Sequence, residues 1–340
     1  MTRNKQTLLD LIWKVEPRLR DAFLEAIEEI TSNAEIGRIA SFLERGDVEG
    51  ALGALHIDRA AFRPIERAIA EAFEAGAHFG VGSLPARDVF GGRIVLRADL
   101  RNPRAEAWLS SHSATLITNI AEDQRNGIRA TLSSAMSEGK NPLRTALDVS
   151  GRVEKPSGRR TGGIIGLTAQ QASFVNTARD DLLSEDVARM KHYLTLTRRD
   201  KRFDRQVQKA IRDGRKLDAE TVAKITGRYS DKLLQLRAET IARTESLASI
   251  HQGRHEAYLQ AIDAGKIRAE DVRRTWRNSG GGRVRDTHID LHGTSVGIYE
   301  PFVTFRGNTL MYPCDPAGPT EETVNCRCTC DYRIDYLPNR

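Results

Sequence analysis

The chain has 340 residues, 39% hydrophobic and 29% charged, with a mean hydropathy of −0.47 and a formal net charge of +6. That length can bury a substantial core and suggests two or three domains, and the composition is far from that of a disordered chain. No run approaches the roughly 18 apolar residues of a membrane helix, and the opening MTRNKQTLLDLIWKVEPRLR lacks the apolar core of a signal peptide, so the expectation is a protein kept in a cytoplasm-like compartment, away from membranes.

The N-terminal stretch reads as helical. Leu8, Leu9, Leu11, Ile12, Val15, Leu19, Phe23, Leu24 and Ile27 recur at steps of three and four, with Pro17 expected to split the run or to start a second helix. A further amphipathic helix is expected over 60–79, with Phe62, Ile65, Ile69 and Phe73 on one face. The Gly- and Pro-rich segment 80–102 reads as a loop with one short strand in GGRIVLRADL, or as an irregular linker. Helix returns over 103–136, opened by Pro103, and a short helix follows Asn141-Pro142 as far as Val149. GRVEKPSGRRTGGIIG then reads as a mobile or extended connector. Thr168 can cap a helix that continues to Leu183, and helices are expected over 185–194, 198–212, 219–248 and 252–264, the last stopped by Gly265. Beyond Trp276 the glycines, β-branched residues and turn prolines predict short strands. The fold expected is mainly α: long helices in the N-terminal and middle regions, with a small C-terminal α+β module. The divisions are 1–150 (helical), 151–166 (Gly-rich linker), 167–265 (basic helical) and 266–340 (the module).

Charge is placed unevenly. Between residues 151 and 240 there are 20 Lys and Arg against 12 Asp and Glu, so the basic surplus of the chain lies in its middle. On a helix over 198–212, Arg198, Arg202, Arg205, Lys209 and Arg212 share one face. Such a stripe is either a solvated surface or a contact for phosphates or an acidic protein ring; aromatic residues are sparse, so any DNA contact would be sequence-independent.

All four cysteines lie near the C-terminal end, at 314, 326, 328 and 330, which points to one local site rather than a disulfide framework. His288 and His292, four residues apart, would project from one side of a helical turn, and the alternating Cys326, Cys328 and Cys330 would share a strand face. His288, His292, Cys326 and Cys328 could together form a tetrahedral, structural zinc site. The competing reading is a metal-free corner in which Asp286, Asp290 or backbone carbonyls satisfy the histidines; C-x-C is not the usual knuckle spacing. Arg283 and Arg285 alternate and could pair with Glu321 or Glu322, Glu245 reads as buried and hydrogen-bonded or paired to an arginine, and Trp276 reads as a core anchor.

In order, the chain offers Ile241, Arg243, Thr244 and Glu245; Trp276; Arg283, Arg285, His288 and Gly293; Pro313 and Asp315; then Asn325, Cys326, Arg327 and Cys328. This succession resembles the Mu F-type head-morphogenesis domain of tailed phages. It covers roughly residues 167–332, and departs from the pattern at Gly280–Gly282, where many relatives carry an acidic residue. The resemblance implies a low-copy minor head protein of the capsid interior, associated with the portal, made in the host cytoplasm and carried in the virion. Some relatives bind double-stranded DNA or affect its release. The family brings no established catalytic residues, and Arg243, Glu245, Trp276, Arg283, Arg285 and Asp315 are read as structural. Two enzymatic readings compete: a zinc-dependent nuclease or hydrolase using His288 and His292 with an open metal position, and an ADP-ribosyltransferase-like effector, for which little chain remains after Cys328.

Overall fold

The computed structural model describes residues 3–88 and 90–336, with side chains from Leu8 onward. The first helix, α1 (Arg3–Asn33), runs unbroken through Pro17. Val15 and Leu19 are both buried on either side of the proline, so the apolar stripe stays in register across it. Burial of that stripe outweighs the roughly 3 kcal/mol an interior proline costs, and the expected break does not occur.

Two short helices follow, α2 (Ile36–Glu44) and α3 (Val48–Gly53), the second capped by Asp47 accepting from the Gly50 amide. A 3-10 turn leads into α4 (Arg63–Gly82). Of the two readings of the segment after α4, the irregular linker is the one formed, with one bridge between Arg87 and Arg93. Next come α5 (Pro103–Ser137), opened by its proline, and α6 (Pro142–Ser150), capped by Asn141.

The stretch 151–166 is packed rather than a mobile connector. It forms the hairpin β1 (Arg152–Val153) and β2 (Arg160–Thr161), and then buries Ile164 and Ile165. Its glycines serve close approach: a Cβ on Gly163 would lie 2.5 Å from the Val149 carbonyl oxygen, and one on Gly162 2.7 Å from the Gly227 Cα. Thr168 and Gln171 form the capping box of α7 (Ala169–Leu183), as Thr168 suggested, and α8 (Val187–Tyr193) and α9 (Asp204–Asp213) follow.

The long α10 (Ala219–Asp263) replaces the two helices expected over 219–264. Gly253 lies in its interior and does not end it, because the missing side chain is what lets α4 approach: a Cβ there would sit 2.0 Å from the Phe73 carbonyl oxygen. Gly76 of α4 reciprocates, with its Cβ position 2.2 Å from the Ile250 carbonyl oxygen. Gly265, at φ 64°, closes the run as expected.

The C-terminal elements are β3 (Val272–Arg277), α11 (Asp286–Asp290), β4 (Ser295–Gly297), β5 (Phe302–Val303), β6 (Thr309–Leu310), α12 (Thr320–Thr323) and β7 (Thr329–Ile334). β3 is the centre of an antiparallel sheet of order β4-β3-β7, in register Trp276↔Cys330 and Thr275↔Ser295, while β5 and β6 make a separate hairpin. The chain is mainly α with a small strand-bearing C-terminal module. Among the described residues no helix is long and apolar enough to cross a membrane.

Two compact units divide the chain, and each draws on separate stretches rather than on the linear blocks expected. One comprises Met1–Ala22, Ile65–Ala114 and Glu239–Arg340; its core joins Leu8, Ile12 and Val15 of α1 to Ile250 and Tyr258 of α10, and to Trp276, Phe302, Leu310 and the four cysteines. The other comprises Phe23–Pro64 and Thr115–Ala238, with α2 packed on α6 and α7 on α8. Linear blocks fail because α1, α5 and α10 each supply residues to both units.

Candidate functional site

The N-C-R-C turn is positioned by α10. Asn325 adopts a left-handed φ of 59°, tolerable for asparagine, and its amide donates to the Thr244 Oγ1 at 3.0 Å. Arg243 donates to the Asn325 Oδ1 at 2.7 Å and makes an ion-pair contact with Glu16 at 3.4 Å. Residues some 80 positions apart in sequence thus clamp one turn. Glu245, beside them, does not pair with an arginine: His112 of α5 sits 2.6 Å from its Oε2, with the imidazole stacked on Trp108 at 4.4 Å. Burial of Glu245 is as expected, but its partner came from a region whose sequence carried no signal for it.

Asp315 organises the Pro-Cys-Asp turn. Its buried carboxylate accepts from the Met311 amide at 2.7 Å and the Ala317 amide at 3.0 Å, an arrangement that holds Cys314 at φ 64°. Arg285 reaches the Val324 carbonyl rather than an acidic side chain, and the 283–285 stretch is a turn, not a strand; Arg283 is exposed.

These turns bring one imidazole and two sulfurs together. His288 Nδ1 lies 3.5 Å from the Cys326 Sγ and 3.5 Å from the Cys328 Sγ, and all three residues are buried. On the other side of the ring, Nε2 lies 3.1 Å from the Glu322 Oε2, an ion-pair contact off the line of a well-formed hydrogen bond. Glu322 is held by the Thr287 hydroxyl at 2.7 Å and the Asn308 amide at 3.1 Å. Trp276 closes the pocket edge-on to the imidazole, with centroids 5.0 Å apart.

Cys314, which the spacing argument passed over, lies beside the group: its thiol donates to the Thr323 carbonyl at 3.4 Å and sits 3.7 Å from the Cys326 carbonyl oxygen. The neighbouring Cys314 and Cys328 thiols hold the Cys326 sulfur well below the usual thiol range. Cys314 is held well above it by its neighbour Cys326 and by burial. His292 does not join. It is exposed past the end of α11, where its Nδ1 accepts from the Asn278 amide at 3.1 Å; α11 is too short to carry both imidazoles on one face. Cys330 also stands apart, cross-strand from Trp276, with burial pushing its thiol up to about 12.

The basic residues form a shorter face than expected. Arg198 lies in a turn and Arg202 in a 3-10 turn, where it is tied to Asp200 at 2.6 Å. Only Arg205, Lys209 and Arg212 ride on α9, because Asp200 caps the preceding 3-10 turn and α9 starts only at Asp204. All five side chains are exposed. Arg205 and Arg212 share a shallow groove with Lys191, Leu194, Gln208 and Ile211.

Residues 201–331 match the family described as Phage Mu protein F like protein. The chain is also similar to an uncharacterized protein, YqbB, of Bacillus subtilis (strain 168), 39% identical over 102 residues. That match is 29% of this chain and 31% of the relative, so the chain spans about a third of the length of that relative. No solved structure matches.

Proposed function

We propose that this chain is a Mu F-like minor head protein that acts in head morphogenesis, with capsid components and the portal as partners; residues 201–331, which match that family, support the reading. The observation that carries this reading is the match itself, which runs from the start of the basic face through the clamped N-C-R-C turn. The clamped turn, the carboxylate-held Cys314 turn and the buried imidazole fit a rigid docking module. None of them offers an open nucleophile or a base facing solvent, which favours assembly over catalysis. The exposed Arg205, Lys209 and Arg212 are the surface we assign to sequence-independent DNA contact.

The reading is tested by deleting the gene in the source phage or prophage and examining particles. We expect fewer infectious heads, the protein in purified particles by mass spectrometry, and its co-purification with the portal. Wild-type particles that lack it, with no retention on immobilised portal, would sink the proposal. The DNA assignment has its own test: neutralising Arg205, Lys209 and Arg212 to glutamine should flatten the log–log salt dependence of DNA binding by about two to three. An unchanged slope discards this face.

A further inference from the structure

We infer that the C-terminal corner is a structural zinc site of one histidine and three cysteines: His288, Cys326, Cys328 and Cys314. This goes beyond the assembly reading and does not depend on it. Tetrahedral zinc with nitrogen at ~2.0–2.1 Å and sulfur at ~2.3 Å requires a nitrogen-to-sulfur edge of about 3.5 Å. The two edges from His288 Nδ1, to Cys326 and to Cys328, are both 3.5 Å. Three ligand atoms already lie within 4.8 Å of one another, and the fourth sulfur, on Cys314, lies beside them, 3.7 Å from the Cys326 carbonyl oxygen.

The surroundings are those of a metal-bound imidazole. A ligating histidine turns its other ring nitrogen toward a carboxylate that is itself held by hydrogen bonds. Here Nδ1 faces the sulfurs and Nε2 faces Glu322, which is fixed by Thr287 and Asn308. The Cys326 sulfur also has a donor: the Cys328 amide points at its Sγ from 3.4 Å. Such donors delocalise thiolate charge, which matters because one Zn²⁺ with three thiolates and a neutral imidazole carries a net charge of −1. Binding displaces whatever protons the three sulfurs carry, so the balanced step is Zn²⁺ in and those protons out. All four ligand side chains are buried, leaving no open position for substrate water, so the site is structural.

The test uses the full chain, purified without chelator and analysed by plasma mass spectrometry. We expect about one zinc per chain, as a closed site requires. His288→Ala, Cys314→Ser and Cys328→Ser should lose the zinc, while His292→Ala and Cys330→Ala should keep it. If the ligand variants fail to fold, the wild type decides: cobalt-exchanged protein should show thiolate-to-metal charge transfer of three-sulfur intensity, and mercurial titration of the thiols should release zinc. A folded wild-type chain with four free thiols and no metal overturns the proposal, as does a Cys314–Cys326 disulfide. Retention of zinc in Cys314→Ser with its loss in His292→Ala overturns the ligand set.

Discussion

Replacing Gly253 by alanine is the sharpest probe of how α4 and α10 meet. In an ordinary helix interior the change stabilises by about 0.5–1 kcal/mol, since glycine surrenders more backbone freedom on folding. Here the new methyl would sit 2.0 Å from the Phe73 carbonyl oxygen and 2.9 Å from the Ala77 nitrogen. Both are rigid backbone atoms, so no side chain can swing aside. Ordinary contact needs roughly 3.5 Å, so the helices must part by about 1.5 Å. Overpacking of that kind costs about 1–3 kcal/mol, and a backbone clash belongs at or beyond the upper end. Set against the helix gain, the net expectation is a loss of about 2–3 kcal/mol. Urea unfolding followed by tryptophan fluorescence reads the right unit, because Trp13, Trp108 and Trp276 all belong to the unit that contains the crossing. Gly82→Ala is the control: it is exposed at the end of α4 in the same unit with nothing within 4 Å of its Cβ position, and should be neutral to slightly stabilising. A Gly253→Ala protein as stable as wild type refutes the close approach.

Three further outcomes follow from the same unit. His255 is buried beside Tyr332, and burial, with Arg274 and Arg104 adding to it, pushes its pKa down to about 3 from 6.5. The imidazole stays neutral in the fold, so its contribution to stability is intact above pH 6.5 and falls away below it at about 1.4 kcal/mol per pH unit until about pH 3. His255→Gln should flatten that slope between pH 6 and 4 in urea titrations, and an equal slope in both proteins contradicts the assignment. Arg274 is fully buried and donates to the Gly297, Glu300 and Met311 carbonyls; Arg274→Met strands all three and should cost about 3 kcal/mol or more by the same assay. Ile12→Ala, in the α1 portion of this core, should cost about 2–5 kcal/mol, and a value near zero would mean that α1 does not close that core.

Local periodicity made the helices legible: the Thr168 cap, the Pro103 start and the Gly265 stop stand where residue chemistry puts them. It failed where tertiary packing overrode local preference. Pro17 is absorbed because the buried stripe continues through it, and Gly163 and Gly253 mark contact rather than flexibility; nothing in their neighbours reveals the backbone they face. At the candidate site, His288, Cys326 and Cys328 were found from residue type, whereas His292 was included on a spacing rule that needs a longer helix than α11. Cys314, which we propose as the fourth ligand, carries no spacing signal as a lone cysteine before Asp-Pro; its place is set by the Asp315 turn, which only the fold displays.

The core that joins Leu8 and Ile12 to Leu310 and Cys326 bears on how this chain is made. Its two halves leave the ribosome roughly 300 residues apart, which at 5–20 residues per second is roughly a quarter of a minute to a minute. Through that interval the apolar stripe of α1 has no partner from the C-terminal module. A nascent α1 must therefore wait in the solvent, be shielded by a chaperone, or rest on α4, whose Ala72 belongs to the same core and emerges much sooner. Chains stalled or terminated before the C-terminal module would leave that stripe without this partner and be cleared or aggregate, so this unit can reach its folded form only once synthesis has passed β7.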